Sequence, residues 1–322
     1  MKVLITGGAG FIGTNFAYHY FNAHPDYEIV VLDKLTYAGR RENLSRLETD
    51  KRFKFIQADL IDKEVVHEIF EREKFDMIVN FAAESHVDRS IDHPSVFIMT
   101  NIVGTHNLLE ASLKFSARRF HQISTDEVYG DLGDGSKDFF TELSPLKPSS
   151  PYSSSKASAD LVCLAYHRTY ELPVTISRCS NNYGPYQFPE KLIPYFYFLA
   201  SKGEKLPVYG DGKNIRDWIY VEDHCEAVDV ILEHGRAGEV YNVGGNCEKT
   251  NIDVTREVLK FFGKDEDLMK FVEDRKGHDR RYAIDNTKMR EEFNWKPKTS
   301  FTEGLKKTFE WYKSNQEWLK KS

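Results

Sequence analysis

Near its first residue the chain reads Val3-Leu4-Ile5-Thr6-Gly7-Gly8-Ala9-Gly10-Phe11-Ile12-Gly13. The apolar run predicts a buried strand, and the glycines after it fit both G-x-G-x-x-G and G-x-x-G-x-x-G. Such glycines allow a tight turn and a close approach of the backbone to a pyrophosphate, and the N-terminus of the following helix offers N–H groups to it. The stretch therefore predicts the first strand, turn and helix of a dinucleotide-binding fold.

Short apolar runs alternate with longer amphipathic stretches along roughly the first 178 residues. Continuous Val, Ile and Phe runs indicate strands that are buried on both faces of a parallel sheet. The predicted strands are residues 3–6, 29–32, 53–57, 77–81, 119–124 and 174–178, and the most periodic predicted helices are residues 97–115 and 154–170. The alternation predicts an α/β fold with a doubly wound, Rossmann-type parallel sheet and right-handed crossovers.

The composition of the chain changes after Arg178. Residues 181–185 and 209–212 are rich in turn-forming residues, whereas residues 221–234 and 239–243 again read as a helix and a strand of the sheet domain. Residues 251–262 and 301–318 read as short helices of a second lobe. We therefore expect a dinucleotide-binding domain of residues 1–178 plus about 221–245, and a smaller, interleaved C-terminal substrate-binding lobe of residues 179–220 plus 246–322.

Composition excludes several classes of protein. Of 322 residues, 40% are hydrophobic, and 44 Lys and Arg stand against 50 Asp and Glu for a net charge of -6, which disfavours a nucleic-acid binder. The four cysteines form no CxxC pair, and no spacing of His, Cys and Asp suggests a metal site. No apolar run approaches the ~18 residues that span a membrane. We expect a soluble, cytoplasmic protein without a membrane or nucleic-acid partner.

Two aspartates follow predicted strands where a cofactor would lie. Asp33 ends the second strand, 20 positions after Gly13, and a carboxylate there can accept hydrogen bonds from the adenosine ribose. It would also repel a 2′-phosphate, which favours NAD over NADP, although the adjacent Lys34 weakens that exclusion slightly. A solvated turn residue is the alternative. Asp59, after the third strand, either reaches the adenine edge or caps a helix.

Tyr152 and Lys156 are four residues apart, so on a helix they share a face. A lysine charge close to the phenol would lower its pKa. The tyrosinate could then take a proton from a sugar hydroxyl while hydride leaves for nicotinamide. With 17 Tyr in the chain a Tyr-x-x-x-Lys pattern also arises by chance, but this one follows the fifth predicted strand and Pro148-Ser149-Ser150-Pro151, which starts a helix.

Several motifs together carry a family resemblance. The glycine loop, Tyr152 with Lys156, and Asn181-Asn182-Tyr183-Gly184-Pro185 resemble the extended short-chain dehydrogenase/reductase superfamily. The resemblance narrows to its nucleotide-sugar branch, the dTDP-glucose 4,6-dehydratase family, and runs from Met1 to about Trp318. The motifs that narrow it are Thr125-Asp126-Glu127, Ala82-Ala83-Glu84-Ser85-His86-Val87-Asp88-Arg89-Ser90, Phe188-Pro189-Glu190-Lys191-Leu192-Ile193-Pro194 and Gly277-His278-Asp279-Arg280-Arg281-Tyr282.

The resemblance implies a hydro-lyase that uses NAD without consuming it. Oxidation of carbon 4 of a hexose acidifies the proton on carbon 5, water leaves across carbons 5 and 6, and hydride returns to carbon 6. By resemblance, Glu127 is the base and Asp126 protonates the departing hydroxyl. Thr125 would hydrogen-bond the carbon 4 oxygen, and Tyr152 with Lys156 would carry out the oxidation.

The resemblance also implies which residues bind each ligand. For NAD they are Gly7, Gly10, Phe11, Ile12, Gly13, Asp33, Lys34, Leu35, Thr36, Asp59, Leu60, Phe81, Ala82, Ala83, Ser85, Thr100, Tyr152, Lys156 and Asn182. For the nucleotide sugar they are Ser85, Thr125, Asn181, Glu190, Lys191, Leu192, Pro207, Val208, Tyr209, Arg216, Asn251, His278, Arg280, Arg281 and Tyr282. Arginine suits bidentate contacts with a diphosphate, so Arg216, Arg280 and Arg281 are the expected anchors. For each residue the alternative is an ordinary surface position.

A geometric condition applies to the acidic pair. Adjacent residues of a strand point to opposite faces, so Asp126 and Glu127 reach one sugar only if the strand has ended and the backbone turns there. Gly130, Gly133 and Gly135 favour such a turn, and a solvated loop is the alternative. The mechanism also needs a protonated aspartate, and two nearby carboxylates can raise one pKa.

Other functions remain open from the sequence. They are a UDP-glucose 4,6-dehydratase, another nucleotide-sugar epimerase or dehydratase, and a non-catalytic NAD-binding regulator. An epimerase needs no acid–base pair beyond the tyrosine, and a regulator would be expected to lack part of the catalytic set. The resemblance further implies a homodimer in which residues 97–115 and 154–170 of each chain form a four-helix interface.

Overall fold

The computed structural model describes residues 1–320, so residues 321 and 322 of the predicted second lobe lie outside the described residues. The strands are β1 (Lys2–Thr6), β2 (Glu28–Asp33), β3 (Phe53–Gln57), β4 (Met77–Asn80), β5 (Arg119–Thr125), β6 (Val174–Cys179), β7 (Asn181–Tyr183), β8 (Leu206–Tyr209), β9 (Ile215–Tyr220), β10 (Val240–Val243), β11 (Glu248–Thr250) and β12 (Met269–Val272). Seven of them form a parallel sheet in the order β10-β6-β5-β4-β1-β2-β3, which confirms the predicted Rossmann-type sheet.

Helices cover both faces of this sheet and also pack over the later part of the chain. They are α1 (Phe11–Ala23), α2 (Lys63–Glu73), α3 (Val87–Asp92), α4 (Pro94–Phe97), α5 (Thr105–Lys114), α6 (Pro151–Tyr170), α7 (Leu192–Lys202), α8 (Val221–His234), α9 (Asn251–Phe261), α10 (Thr287–Phe293), α11 (Phe301–Ser314) and α12 (Gln316–Lys320). Alternate residues of a strand pack into two hydrophobic cores, one on each face of the sheet. Val3 and Ile5 pack with α1 and α8, whereas Leu4 packs with α2 and α5. Burial on both faces explains why these strands read as continuous apolar runs.

The predicted helix at residues 97–115 is interrupted. Residues Ile98–Gly104 form a π-helix between α4 and α5. Its backbone hydrogen bonds span five residues instead of four, so the helix is wider there. Two other predicted boundaries also moved. Helix α6 begins at Pro151, because the Ser150 hydroxyl caps it by accepting from the backbone N–H of Ser153. The predicted helix at residues 301–318 is two helices that separate at Asn315.

The second part of the chain contains strands that the sequence did not reveal. Strands β11, β9 and β7 form one small sheet, and β12 pairs with β8 in another. Residues 181–185 were therefore wrongly interpreted as a turn alone, because their first three residues form β7. These strands are short and partly polar, and the pairing that defines them is with residues distant in sequence. Helices α7, α9 and α11 pack over these sheets around a core of their own.

The order of the sheet places a crevice at the carboxyl ends of the strands. Strand β1 lies between β2 and β4, so successive connections leave it in opposite directions. Ligands of doubly wound sheets bind at such a switch point. Among residues 1–320, no helix is both long and apolar enough to cross a membrane.

Candidate active site

A cavity of about 360 Å³ opens at the switch point. Its walls come from the carboxyl ends of several parallel strands, where Gly7 follows β1, Asp33 ends β2, Phe81 follows β4 and Thr125 ends β5. The first residues of α1 and α6 and the segment before α7 complete it. One cavity therefore contains both the predicted dinucleotide loop and the predicted catalytic residues.

The glycine loop is shaped for a close approach of a ligand. Gly7 has φ +65°, and a Cβ there would lie 2.6 Å from the backbone N of Ala82. A Cβ on Gly13 would collide with the Gly7 carbonyl oxygen. Because α1 begins at Phe11, directly after these turns, its free N–H groups face the cavity, and the loop fits a pyrophosphate.

Asp33 lies beneath this loop. Its Oδ2 accepts a hydrogen bond from the N–H of Ala9 at 3.0 Å, and its Oδ1 accepts one from the N–H of Leu35 at 2.8 Å. Burial raises the pKa of Asp33, and these backbone donors oppose the shift. Each carboxylate oxygen has a second lone pair, so ribose hydroxyls can still bind.

Lys34 and Asp59 form an ion pair at the adenosine end of the cavity, with 2.5 Å between Nζ and Oδ2. Lys34 is therefore already neutralised, which removes the sequence-based reason to expect a 2′-phosphate there. Asp59 is not a helix cap, because the side chain of Asp62 caps α2 by accepting from Val65. The glycine cradle, Asp33 and this pair together fit the dinucleotide NAD.

The acidic pair lies on a turn, as the geometric condition requires. Strand β5 ends at Thr125, and residues Asp126–Tyr129 form one 3₁₀ turn. The Thr125 hydroxyl accepts from the N–H of Glu127 at 3.3 Å and donates to Oδ1 of Asp126 at 3.2 Å. All three side chains therefore line the same cavity.

The two carboxylates face different charges. Burial, Glu127 and Asp217 raise the pKa of Asp126 well above its usual range, and its Oδ2 is buried without a hydrogen bond. Burial also raises the pKa of Glu127, but Arg275, Lys191 and Arg216 oppose that shift. The pKa of both carboxyls is thus raised, and more cations oppose the shift at Glu127 than at Asp126, so Asp126 is the better suited of the two to hold a proton.

Tyr152 and Lys156 share one face of α6, but burial dominates the pKa of the phenol in this structure. Burial and the Glu127 carboxylate raise the pKa of Tyr152 well above its usual range. The Lys156 ammonium instead donates to the backbone oxygen of Ile123 at 2.5 Å. Desolvation therefore outweighs any benefit of the lysine, and the phenol needs a further positive charge nearby before it can act as a base.

Asn101 is a buried residue that sequence reasoning missed. Its Oδ1 accepts from the N–H of Glu84 at 2.8 Å, and its Nδ2 donates to the Glu84 carbonyl at 3.0 Å and the Ser155 hydroxyl at 2.8 Å. It therefore joins the loop after β4 to the helix that carries Tyr152. Asn101 lies in the π-helix, and an irregular turn of this kind cannot be recognised from the periodicity of apolar residues. Nothing in the sequence therefore indicated its role.

The arginines of the second lobe differ in their hydrogen-bond partners. Arg280 pairs with Asp211 at 2.8 Å and Arg281 with Glu248 at 2.7 Å. Arg216 is buried over the Tyr282 ring, and its guanidinium donates to the Asp279 carbonyl at 2.9 Å. Arg216 is thus held by neutral carbonyl oxygens and keeps its net charge for a ligand.

Arg275 is a second cation near the acidic pair and was not foreseen. Its Nε is buried without a hydrogen bond, and its Nη1 lies 3.6 Å from Asp88 Oδ1. Its charge acts on both Glu127 and Lys191. The residue precedes the recognised Gly277–Tyr282 motif by two positions, so only the tertiary structure brings it to the site.

Most predicted NAD and catalytic residues line the cavity, and several predicted nucleotide-sugar residues do so as well. These are Gly7, Gly10, Phe11, Ile12, Gly13, Asp33, Lys34, Thr36, Asp59, Leu60, Phe81, Ala82, Ala83, Ser85, Thr100, Thr125, Asp126, Glu127, Tyr152, Lys156, Asn181, Asn182, Glu190, Lys191 and Leu192. Leu35 does not line it. Neither do Pro207, Val208, Tyr209, Arg216, Asn251, His278, Arg280, Arg281 and Tyr282, which belong to the second lobe. Lining residues that sequence reasoning missed include Ala38, Gly39, Gln187, Phe188 and Trp218.

A group of metal-ligand residue types lies elsewhere, between α1 and α8. His24, Asp229 and Glu233 have potential ligand atoms within 4.8 Å of one another. Asp229 accepts from both His19 and His24 at 2.9 Å, and Glu233 accepts from Tyr20 at 2.5 Å. These hydrogen bonds account for the cluster as a tie between two helices.

Comparison with known proteins agrees with this geometry. The family model described as GDP-mannose 4,6 dehydratase matches residues 4–308. The chain is 50% identical to the low-salt glycan biosynthesis protein Agl12 of Haloferax volcanii, over 98% of this chain and 100% of that protein. It is 48% identical to the dTDP-glucose 4,6-dehydratase of Neisseria meningitidis serogroup B, over 98% of this chain and 94% of that protein.

A solved structure extends the comparison to ligands. DesIV, a dTDP-glucose 4,6-dehydratase of Streptomyces venezuelae with NAD and TYD bound, has a TM-score of 0.95 and 48% identity to this chain. The match covers 99% of this chain and 98% of that one. This chain therefore belongs to the dTDP-glucose 4,6-dehydratase family, within the wider group that the GDP-mannose 4,6 dehydratase model describes.

Proposed function

We propose that this chain is an NAD-dependent dTDP-glucose 4,6-dehydratase, a hydro-lyase that forms dTDP-4-keto-6-deoxy-glucose. The observation that carries the proposal is the turn after β5. It places Asp126 and Glu127, with different charge environments, in the same cavity as Tyr152 and the glycine loop. A plain dehydrogenase or an epimerase does not need this second acid–base pair.

The first half-reaction belongs to Tyr152 and Thr125. Tyr152 takes the proton of the carbon 4 hydroxyl, and Thr125, which lines the same cavity, orients that oxygen. Bound NAD would supply the hydride acceptor and a positive nicotinamide charge that favours the tyrosinate. Lys156 holds the helix against β5 through Ile123 and adds its own charge from one turn along α6.

The elimination belongs to the acidic pair. Glu127, facing three cations, removes the proton on carbon 5, which the new ketone has acidified. Asp126, buried and protonated, gives its proton to the hydroxyl that leaves carbon 6. A separate acid and base let both bonds break on one bound sugar without waiting for solvent.

The nucleotide diphosphate needs local positive charge on a chain of net charge -6. Arg216 and Arg275 are the candidates that the geometry supports, because neither guanidinium has a short carboxylate partner. Lys191 donates to the Ser85 carbonyl at 2.7 Å and lies beside the sugar pocket. We assign Arg280 and Arg281 to the shape of the second lobe, since Asp211 and Glu248 hold them.

The nucleotide end would be lined by the other predicted residues of the second lobe. The Tyr209 ring meets His278 edge-on at 6.3 Å, so β8 and the loop before Tyr282 form one wall. Asn181, Glu190 and Leu192 would face the sugar from the cavity. Pro207 and Val208 of β8 and Asn251 at the start of α9 complete the set. These assignments rest on position in the fold and on the family motifs.

The decisive experiment is a parallel incubation of the purified chain with dTDP-glucose and UDP-glucose. We expect dTDP-glucose to give a product lighter by one water, detected by mass spectrometry. Turnover of UDP-glucose alone would favour the alternative, a UDP-glucose 4,6-dehydratase. Interconversion of the 4-hydroxyl without loss of water would identify an epimerase, and no turnover of either would support a regulatory NAD-binding protein.

We infer that the working unit is a homodimer. The exposed face formed by the π-helix and α6 is apolar, with Ile98 50%, Met99 43%, Leu161 57% and Tyr170 53% exposed. Covering it with a second copy removes this surface from water. Sedimentation should show a dimer that Leu161→Glu dissociates, whereas the control Leu143→Glu, at a residue 95% exposed elsewhere, should not. A monomeric parent chain would refute the inference.

We also infer two domains, residues 1–178 plus about 221–245 and residues 179–220 plus 246–322. The return of α8 and β10 to the large sheet and the separate core under α7, α9 and α11 support this division. A cytoplasmic location is supported by four cysteines that form no disulfide. Limited proteolysis and cell fractionation would test these two inferences.

A further inference from the structure

The segment between β2 and β3 covers the adenosine side of the cavity, and its anchor is Asn43. Ala38 and Gly39 of this segment line the cavity. Asn43 is 2% exposed, and its Nδ2 donates to the Ala9 carbonyl at 2.9 Å. Ala9 lies within the glycine loop, and its N–H bonds to Asp33. One side-chain amide therefore ties the covering segment to the loop that receives the pyrophosphate.

The oxygen of the Asn43 amide accepts a hydrogen bond from a residue 275 positions away in the sequence. Trp318, in helix α12, donates its indole N–H to Oδ1 of Asn43 at 2.7 Å. The backbone oxygen of Trp318 accepts from Nη1 of Arg40 at 2.7 Å, and the Arg40 guanidinium lies 4.6 Å from its ring centre. The N–H of Arg40 in turn donates to the Ala9 carbonyl at 2.9 Å. Helix α12 thus touches the covering segment at two residues, and both of them bond Ala9.

We propose that Trp318 is a positioning residue of the NAD site, which acts through Asn43 on the glycine loop. The inference rests on the proposed function only in that NAD is the ligand. The indole N–H can only donate. The Asn43 atom next to the indole must therefore be the amide oxygen, and the NH₂ group then points toward Ala9. Without the indole the amide can rotate, and the covering segment loses one of its two bonds to the Ala9 carbonyl.

A covering segment held in place before NAD binds would be useful to an enzyme with a closed redox cycle. An enzyme that returns its hydride each turnover gains from keeping NAD bound, and a pre-ordered loop lowers the entropy lost on binding. The competing explanation is that Trp318 only completes the aromatic packing of Tyr186 and Trp311, whose rings lie 6.4 Å and 5.1 Å from it. Packing alone would affect the stability of the chain and leave its affinity for NAD unchanged.

The test is the dissociation constant of NAD, measured by calorimetry on the full-length chain stripped of NAD. Trp318→Phe keeps an aromatic ring and removes the N–H, so we expect about 3- to 10-fold weaker binding. The matched control Trp311→Phe disturbs the same aromatic cluster and should stay within about 2-fold of the parent. Asn43→Ala should also weaken binding, and adding Trp318→Phe to it should cost nothing more, since both act through one amide.

Melting temperatures of the NAD-free variants separate the two explanations. Parent-like NAD affinity in Trp318→Phe, with or without a lower melting temperature, would overturn the proposal. Equal weakening by Trp311→Phe would overturn it too. If Trp318→Phe does not fold, Arg40→Met breaks the second tie and should weaken NAD binding in the same way, and unchanged affinity would reject the proposal. Because the readout is NAD binding, failure to turn over dTDP-glucose would leave this result intact.

Discussion

At the scale of single residues, the acidic pair shows how position assigns chemistry. Asp126 and Glu127 are adjacent in the chain and burial raises the pKa of both, but one cation, Arg216, opposes the shift at Asp126 and three oppose it at Glu127. The same functional group therefore holds its proton more firmly at one position than at the next. That difference allows the oxidation and the elimination to be separated by mutation.

Asp126→Asn should still transfer hydride to NAD but should release water slowly, because an amide cannot donate a carboxylic proton. Reduced nicotinamide should build up and persist in a single-turnover experiment. Glu127→Gln should prevent solvent deuterium from entering carbon 5, with a loss of ~10²- to 10⁴-fold in turnover for either variant. Asp138→Asn, an exposed aspartate of the following loop, is the matched control. If both variants abolish nicotinamide reduction in folded protein, the pair acts in the first step.

Tyr152→Phe removes the phenol that starts the oxidation and leaves the ring that meets Phe97 at 6.3 Å. We expect a loss of at least ~10²-fold in turnover, with substrate affinity largely kept. The control Tyr166→Phe changes a tyrosine of the same helix that does not line the cavity. Normal turnover by Tyr152→Phe would mean that the Tyr-x-x-x-Lys match arose by chance.

At the scale of elements, the π-helix joins the cofactor loop to the catalytic helix through Asn101. Asn101→Ala leaves the buried N–H of Glu84 and the hydroxyl of Ser155 without this partner, so unfolding in urea should show a loss of about 2–3 kcal/mol. NAD affinity should fall as well. The control Asn286→Ala removes a buried amide bonded to Gly244, away from the cavity, and should lower stability without weakening NAD binding.

Helix α2 is tied to β1 and β3 by one carboxylate. Glu73 approaches Lys54 at 2.5 Å, Arg72 at 2.9 Å and Lys2 at 3.5 Å. Burial alone would raise the pKa of Glu73, but hydrogen bonds from Lys54 and Arg72 outweigh it and lower the pKa to about 2. Because this folded-state value is below that of an unfolded glutamate, the stabilisation is present at neutral pH and is lost as pH falls toward 2.

Glu73→Gln should therefore lower the free energy of unfolding by about 1–3 kcal/mol at pH 7, and the difference should shrink at pH 3. Denaturant titrations at the two pH values measure this. The matched control Glu303→Gln breaks a pair with Lys307 in which both side chains are about half exposed, and it should change little. A difference that grows on acidification would reverse the assigned sign.

At the scale of the whole molecule, we expect the site to combine a cofactor domain with a second lobe so that one hydride leaves and returns. The enzyme should therefore need NAD only in catalytic amount, and part of it should co-purify with the chain. Product formed per added NAD is the measurement, with NADH followed by its absorbance. NADH that accumulates in proportion to product would identify an ordinary dehydrogenase.

Much of this protein was readable from its sequence. Strands buried on both faces are apolar throughout, so continuous runs of Val, Ile and Phe indicated the parallel sheet. The glycine loop was equally visible, because Gly7 adopts a left-handed backbone and Gly13 allows no Cβ. The motifs from Thr125 to Tyr282 indicated the family. These features are local, and a local pattern can be read without knowing the fold.

The tertiary structure decided the features that depend on distant contacts. The short strands of the second lobe exist through partners elsewhere in the chain, so their polar sequences resembled turns. The predicted anchors Arg280 and Arg281 pair with Asp211 and Glu248 in the folded chain, and no sequence motif marks Arg275. The different charge surroundings of Asp126 and Glu127, and the hydrogen bond from Trp318 to Asn43, depend on which charges and donors surround a side chain after folding. Long-range electrostatics and hydrogen bonding leave no periodicity in a sequence, and for that physical reason only the folded chain contains them.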